Sequence, residues 1–535
     1  MLKRGAIGDY CTGIDRAHAI GIDIETCDPK LKSLGSGARR SDSHIAGISM
    51  AACDSKWEVV WSSYFPIGHK DGDNEPVDKV RAYVQDRVRA AKIIVGANLT
   101  YDIDFLVEKL GIDFELYTVA RRVYVDVQHA EAVIDENKRG QYSLEDIAQR
   151  HLGEGKDESL YERLAKMFGG KPTRGAQIGN VWRAPPAVSI DYAIKDAELP
   201  LRIYAKQRPI LRGMASDGTG KRNDLTEVWL LERDLFPMLM AMRLRGVRVG
   251  LEQAERSQRL LTEQFDAVAG SFHEKWGIKN PASTAEVANY CDAVEIEYPR
   301  TEKGAPSIRK QWLEHQAKAG PHSPFFRDVL MYRRLAKNNG TFIAGIIKHA
   351  TAAGRIHAAF NPLKTDEYGA VSGRFSSSDP NLQNQPSRDP EMAKLVRGMF
   401  FPDEGEQWGT ADYSQIEYRL LIAEALRRLP KSSPGYTAAT QMKERFLAGQ
   451  RTGAKVDVHE ETGNLCKINR RDGKTINFGM VYGLGLESLI SSLGYPKEEC
   501  IAIIESYHAA APYARDMYRH MQKLANRFGY IQTIG

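Results

Sequence analysis

RRDGKTINFGMVYG, residues 470–483, places Arg470, Lys474, Phe478 and Tyr482 at intervals of four. At 3.6 residues per turn each step drifts by only about 40°, so the four side chains form one stripe along a helix. Two cations near the helix start, then a flat apolar ring, then a phenol, ask for a ligand that is charged at one end and flat at the other. The favourable N-terminus of a helix adds to the charged end. On pattern alone a stripe of this kind is more often a packed face with a solvated cationic end.

Outward from that helix, the chain reads as helical from Gln415 onward, and as short extended pieces and turns between about Arg355 and Tyr413, ending in a strand-like WGTADYS (408–414). Leu225 to about Asn339 is mostly helical, interrupted at RGVRVG (245–250) and EYPRTEKGAPS (297–307), with a long amphipathic helix over LEQAERSQRLLTEQFDAVAGSFHEKW. The first two hundred residues alternate β-type runs (AIGIDIET, HIAGISMAA, WEVVWSSYF, KIIVGAN) with helical periods such as VDKVRAYVQDRVRAA and SLEDIAQRHL, the pattern of an α/β sheet domain. A Gly-, Ser-, Asp- and charge-rich break at 212–224 marks a boundary. Within it GTGKR (218–222) fails as a phosphate-binding loop, because Arg222 replaces the required hydroxyl and no glycine precedes at the right distance.

The 535 residues, 42% apolar and 27% charged, bound a multidomain α/β and α+β globular chain of three to five units at roughly 100–200 residues each. The net charge of +5 suits a nucleic-acid partner without demanding one. Six scattered cysteines with no CxxC pair indicate neither a zinc site nor a disulfide framework, so a reducing cytoplasm is expected. No signal-peptide core and no apolar stretch of roughly 18–20 residues is present, so no membrane partner is expected.

Asp23 and Glu25 in GIDIETCDP lie two apart in a β-type run and share one face of a strand. A pair of like charges in an apolar run asks for a cation between them, although two solvent-facing acids would look the same in sequence. Asp102 follows a strand and turn in VGANLTYDIDFL, and Tyr192 precedes Asp196 by four on one helix face. Asp104, two residues from Asp102, is set aside. Farther on, Asp412 ends the strand-like run and Glu417 begins the next helix, a junction that capping alone would explain.

The order Asp-x-Glu, Asn-x-x-Tyr-Asp, Tyr-x-x-x-Asp over residues 18–205 resembles the DEDD-type 3′–5′ exonuclease superfamily, in its tyrosine subtype. SLEDIAQRHLG and Asp126 match the same domain. The resemblance implies a ribonuclease H-like fold in which Asp23, Glu25, Asp102 and Asp196 hold two Mg²⁺ or Mn²⁺ ions. Tyr192 then orients water, and Asn98 and Tyr101 position the strand end.

DYSQIEYR, SGRFSSSDPNLQNQP and RRDGKTINFGMVYG, in that order, resemble three motifs of the family A DNA polymerases, the bacterial DNA polymerase I type. RGVRVG and YRRLAKNNGTF support the resemblance, which covers residues 225–535. It implies a right-hand polymerase that joins deoxynucleoside triphosphates to primer–template DNA, with two metal ions at Asp412 and the Tyr413 carbonyl. By the same resemblance Gln415 and Glu417 gate the sugar, Arg374, Asn381, Gln383 and Asn384 touch DNA, and Arg470 and the catalytic Lys474 take the triphosphate. Phe478 stacks on the incoming nucleotide, which implies poor acceptance of dideoxynucleotides, and Tyr482 faces the template. His459 would approach the phosphates, but only 15 residues separate it from Lys474, fewer than the bacterial pattern has. Arg471 is secondary, and Tyr418, at a position usually aliphatic, implies a packing change.

The expected organisation is 1–210 exonuclease, 225–250 start of palm, 251–345 thumb, 346–425 palm, 426–520 fingers and 521–535 the beginning of a return to palm. The exonuclease acids near the start leave no room for a 5′-nuclease domain, a layout that resembles phage enzymes and would place the chain in host cytoplasm. No His-Asp-Glu motif follows Tyr482. The expectation is therefore a polymerase truncated before its last palm motif, with a second polypeptide as one source of the remainder. The rival expectations are a chain that acts only as a 3′–5′ exonuclease, or one that binds primer–template without catalysis.

Overall fold

The computed structural model describes residues 17–531 apart from 117–121, 139, 156–158, 218–222, 302, 364–368, 388 and 494; GTGKR (218–222) and the end of the expected return to palm lie outside the described residues. Two compact units interleave along the chain, Met1–Arg259 with Asn339–Glu406, and Leu260–Asn338 with Gln407–Ile534.

The first unit is built on a five-stranded sheet in the order β3-β2-β1-β4-β5, with β1 Ala19–Cys27, β2 His44–Cys53, β3 Val59–Pro66, β4 Ile93–Gly96 and β5 Val123–Asp126. β1, β2 and β3 run antiparallel, whereas β4 and β5 add in parallel, so the sheet is mixed. Helices α1 (Val77–Ala90), α2 (Leu99–Leu110), α3 (Val127–Ile134), α4 (Leu144–Leu152), α5 (Pro186–Leu211) and α6 (Thr226–Arg245) surround it.

The two-residue alternation of β1 decides what lies where. Ile20, Ile22 and Ile24 bury with Val80, Val84 and Val88 of α1 and Ile103 and Leu106 of α2. The other face of β1, Ala19, Gly21, Asp23 and Glu25, turns to α5: Ala19 shares a core with Ala197 and Leu201, and a Cβ on Gly21 would run into the Ala197 carbonyl. Small residues at 19 and 21 thus let α5 lie against the strand. Later segments of the unit form β10-β6-β7 (Phe400–Phe401, Val247–Val249, Arg355–Ile356) and the pair β8 (Ala359–Asn361) and β9 (Ser376–Ser378).

Glu131 on α3 is fully buried and accepts hydrogen bonds from Arg150 Nη1 (2.6 Å), His151 Nε2 (2.7 Å) and Gln207 Nε2 (2.9 Å), tying α3, α4 and α5 together. Burial alone would raise its pKa; the bonds from His151 and Gln207 and the Arg150 charge outweigh it and hold the carboxyl at about 2. Because the folded pKa is depressed, the stability Glu131 contributes is complete above the ordinary value of 4.5 and fades as the pH falls toward about 2. Glu131→Gln is expected to lower the urea midpoint at pH 7, with the gap to the unaltered chain narrowing in acid. An equal gap at both pH values would refute the linkage.

The second unit has two cores. One gathers Phe272 and Trp276 of α7 (Leu251–Trp276) with Phe325, Phe326 and Val329 of α8 (Ser323–Lys337). The other joins α9 (Ile416–Arg428), α10 (Pro434–Thr452), α11 (Val458–Cys466), α12 (Arg470–Val481), α13 (Lys497–Ala510) and α14 (Pro512–Phe528) through Ile422, Phe446, Ile476, Ile503 and Met517. The strand expected over WGTADYS does not form: 408–413 is irregular and exposed, with Tyr413 79% accessible. A β-type sequence needs a partner ladder, and none of the described strands pairs with this one. Among the described residues no helix is long and apolar enough to cross a membrane.

Candidate functional site

In the first unit Asp23, Glu25 and Asp196 offer carboxylate oxygens within 4.8 Å of one another. The geometry follows from the fold: the acids alternate onto the α5 face of β1, and the close approach at Gly21 brings Asp196 over them. Asp102 is not one of these three and sits beside the same strand. Its Oδ1 accepts the Ile24 amide at 3.1 Å, beyond Gly21, the last β1 residue that pairs with β4. Burial pushes the Asp102 pKa well above the usual carboxylate range, with Asp126 and Glu25 adding to the effect. Asp126 accepts the Leu99 amide (2.9 Å) and caps α3 through the Gln128 amide (2.9 Å).

Tyr192 lies one turn before Asp196 on α5, buried, with its hydroxyl 3.2 Å from that of Tyr161. Tyr101 pairs its hydroxyl with Thr26 Oγ1 (2.8 Å) and donates to Asp28 (3.2 Å), beside the end of β1. Asn98 precedes α2 in the left-handed region at φ 58°, which asparagine tolerates better than most residues. Asp104 faces away into a buried cluster with Arg39 (2.8 Å), Arg243 (2.8 and 3.0 Å) and Ser36 (2.9 Å). Burial works against its charge, and the two arginines still lower its pKa.

Sequence reading missed Tyr161 and a relay behind the acids. The Tyr64 hydroxyl meets His69 Nε2 at 2.6 Å and His69 Nδ1 meets the Ala184 carbonyl at 2.7 Å, so the ring donates to Ala184 and accepts from Tyr64. Tyr64 lies over Gly47, the β2 partner of Glu25, where any Cβ would strike its ring. YFPIGH could have signalled this only through its paired tyrosine and histidine.

Also in this unit, Arg374, Asn381, Gln383 and Asn384 are exposed around the β8–β9 pair. Asn381 Oδ1 accepts the Gln383 (3.0 Å) and Asn384 (3.2 Å) amides, so its side chain shapes the turn.

In the second unit the four-spaced stripe is not the packed face of its helix. α12 buries Gly473, Ile476, Asn477 and Met480, while Arg470, Lys474 and Tyr482 are exposed and Phe478 is half-buried between. Lys474 Nζ lies 5.6 Å from the Phe478 ring centre, and the His459 and Phe478 rings are 5.4 Å apart. Burial, Lys474 and Arg470 lower the His459 pKa against the pull of Asp457. Arg470 is held by Asp457 at 2.8–2.9 Å, and the other Asp457 oxygen caps α11 through the His459 and Glu460 amides. Arg471 is exposed, off the stripe.

The short His459–Lys474 spacing has a structural answer. Only Lys467–Asn469 join α11 to α12, with Lys467 at φ 54°. A Cβ on Gly473 would run into the His459 carbonyl and the Gly463 backbone, so two glycines let the helices touch backbone to backbone. His459 therefore reaches the stripe despite the shorter connection.

Asp412 is exposed, and Gln415 begins α9 at φ 54° with Nε2 bound to the Val456 carbonyl (2.5 Å). Glu417 Oε1 accepts the Tyr482 hydroxyl at 3.0 Å. Tyr418 is buried with its hydroxyl 2.6 Å from that of Tyr513.

Residues 251–535 match the family model for DNA polymerase family A. A DNA-directed DNA polymerase of Pseudomonas phage M6 is 33% identical over 496 residues, which are 90% of this chain and 69% of that protein. DNA polymerase I of Rhizobium leguminosarum is 26% identical over 520 residues, covering 92% of this chain and 46% of the relative. The solved POL domain of Pol1 from M. smegmatis, in complex with DNA primer-template and dNTP, superposes with a TM-score of 0.68 at 20% identity, covering 100% of this chain and 80% of that one, and so shares its fold. With more than half its length matched by the family model, and a relative of this similarity, the chain belongs to DNA polymerase family A.

Proposed function

We propose that this family A DNA polymerase couples template-directed DNA synthesis to removal of mispaired nucleotides from the 3′ end. The observation that carries the second activity is the approach of Asp23, Glu25 and Asp196 to within 4.8 Å, which is unfavourable for three charged carboxylates and suits a divalent cation. Asp102, electrically close to Glu25, is the fourth member of the proposed set. A pair of Mg²⁺ or Mn²⁺ ions held there supplies positive charge to the attacking water and the departing 3′ oxygen. Tyr192 orients that water, and Asn98 and Tyr101 hold the strand end.

For synthesis, Lys474 and Arg470 neutralise the triphosphate, Lys474 as the catalytic cation. Phe478 lies under the sugar and base and Tyr482 reaches the template. Glu417, braced by the Tyr482 hydroxyl, and Gln415 limit the space beside the sugar. His459 joins the phosphate grip, Asp412 and the Tyr413 carbonyl face the metal ions, and Arg374, Asn381, Gln383 and Asn384 meet DNA. The proposed organisation remains 1–210 exonuclease, 251–345 thumb and 426–520 fingers, with palm at 225–250 and 346–425, acting in the cytoplasm.

One observation favours a second reading, a chain that only degrades 3′ ends: Asp412 belongs to no group of three metal-binding side chains among the described residues, whereas the acids of the first unit do. A 5′-labelled primer annealed to a longer template, incubated with the chain and Mg²⁺, separates the two. Shortening without deoxynucleotides and lengthening with them is expected. Lengthening retires the second reading, and absence of shortening overturns the exonuclease.

A further inference from the structure

We infer that Asn477 is a positioning residue for nucleotide binding, which fixes the His459 ring in the tautomer that carries its proton on Nε2. The inference rests on the reading of α12 as the nucleotide-holding helix and adds to it a residue that touches no nucleotide itself.

Asn477 is one residue before Phe478, about 100° round the helix, and lies 1% exposed in the contact between α12 and α11. Its Nδ2 lies 3.0 Å from the Val458 carbonyl, 2.9 Å from Thr462 Oγ1 and 3.2 Å from His459 Nδ1. The orientation of the amide is decided by the first two. The Val458 carbonyl can only accept, and Thr462 spends its own proton on that same carbonyl at 2.8 Å, so its oxygen is free to accept. A reversed amide would set its oxygen against both, so nitrogen must face them; Oδ1, on the other side, has no hydrogen-bond partner among the described residues.

The two N–H bonds are thus shared among three acceptors, and His459 Nδ1 has to present a lone pair. In a neutral ring the proton then sits on Nε2. Burial and the cations Lys474 and Arg470 favour that neutral ring, against Asp457. A ring with Nε2–H offers a donor to anionic oxygens, whereas the other tautomer would oppose them with a lone pair. The same bond stops rotation of the imidazole beside Phe478, 5.4 Å away. A donor already aimed need not be ordered when the triphosphate arrives, which raises affinity. Gly463 and Gly473 make the arrangement possible, since any Cβ at 473 would push the two helices apart.

The test measures the Kd of a matched dNTP for the complex of the chain with a dideoxy-terminated primer–template, with Asp23→Ala in every variant to keep the primer end intact. Asn477→Ala is expected to raise Kd about tenfold, the worth of roughly one well-placed hydrogen bond. In a His459→Ala background the same substitution should change Kd by less than about twofold, because its effect runs through the ring. Thr462→Val removes another Asn477 acceptor without touching His459; the Val458 carbonyl alone still requires the amide nitrogen on that side, so Kd should stay within about twofold, which separates loosening of the helix pair from loss of the tautomer. An Asn477→Ala effect of equal size in both backgrounds, no effect at all, or a Thr462→Val effect as large overturns the proposal. Lys474→Ala serves as the reference: if it weakens binding and Asn477→Ala does not, the proposal alone fails. If neither Lys474→Ala nor Arg470→Ala matters, the nucleotide-helix reading fails and takes the proposal with it.

Discussion

Asp23→Ala is expected to slow Mg²⁺-dependent shortening of a DNA 3′ end by about three orders of magnitude or more, equivalent to roughly 4 kcal/mol of barrier, while primer extension survives. The expectation rests on three carboxylates within 4.8 Å. Their combined charge makes the site attractive to divalent cations, and deleting one removes both a ligand and part of that charge. Asp23→Asn keeps the shape and loses the charge, and should fall as far. Unfolding is not the cause to expect, since Asp23 is only half-buried and its removal relieves repulsion among like charges when no cation is bound. The urea midpoint in EDTA should therefore stay level or rise. The mirror variant, Asp412→Ala, should stop extension and spare shortening. Undiminished shortening by Asp23→Ala would remove the first unit from the chemistry.

Asp104→Ala is expected to destabilise the first unit by about 3–5 kcal/mol, the range for breaking a buried ion pair from one side. Arg39 and Arg243 both point at a carboxyl that is wholly buried, and without it two guanidinium groups stand in a poorly solvated place with fewer partners. The loss should appear as an earlier urea transition for this unit. Replacing Asp104, Arg39 and Arg243 together with apolar residues of similar volume should recover most of it, because the penalty lies in the stranded charges. A transition unmoved by Asp104→Ala would mean that solvent reaches the arginines freely. The contrast with Asp23 is the informative part: acids on one chain, one expected to abolish an activity at no cost in stability, the other the reverse.

Local periodicity made much of the architecture legible. The two-residue alternation in AIGIDIET set Asp23 and Glu25 on one face of β1, and the four-residue spacing of Tyr192 and Asp196 put both on one face of α5, as the structure has them. The stripe on α12 was legible as a stripe, but whether it is packed or presented depends on Gly473, Ile476, Asn477 and Met480, which only tertiary contacts reveal. The partners of Asp104 lie 65 and 139 residues away, and no periodicity reports separations of that kind. Asp102 was read beside the other acids from its motif alone; that one of its carboxylate oxygens accepts the Ile24 amide, beyond the last pairing of β1 with β4, is a tertiary detail no periodicity reports. WGTADYS was read as a strand because its residues favour one; β-propensity is realised only against a neighbour, and 408–413 has none among the described strands.

The paired glycines between α11 and α12 bear on motion. A connection of three residues and a contact made of backbone leave no slack by which one helix could slide or roll on its neighbour. The pair is expected to move as one lever, a swing of α12 carrying His459 with Lys474 and Phe478. The imidazole, the ammonium and the aromatic ring are then expected to move together, with no separate step for the histidine to fall behind.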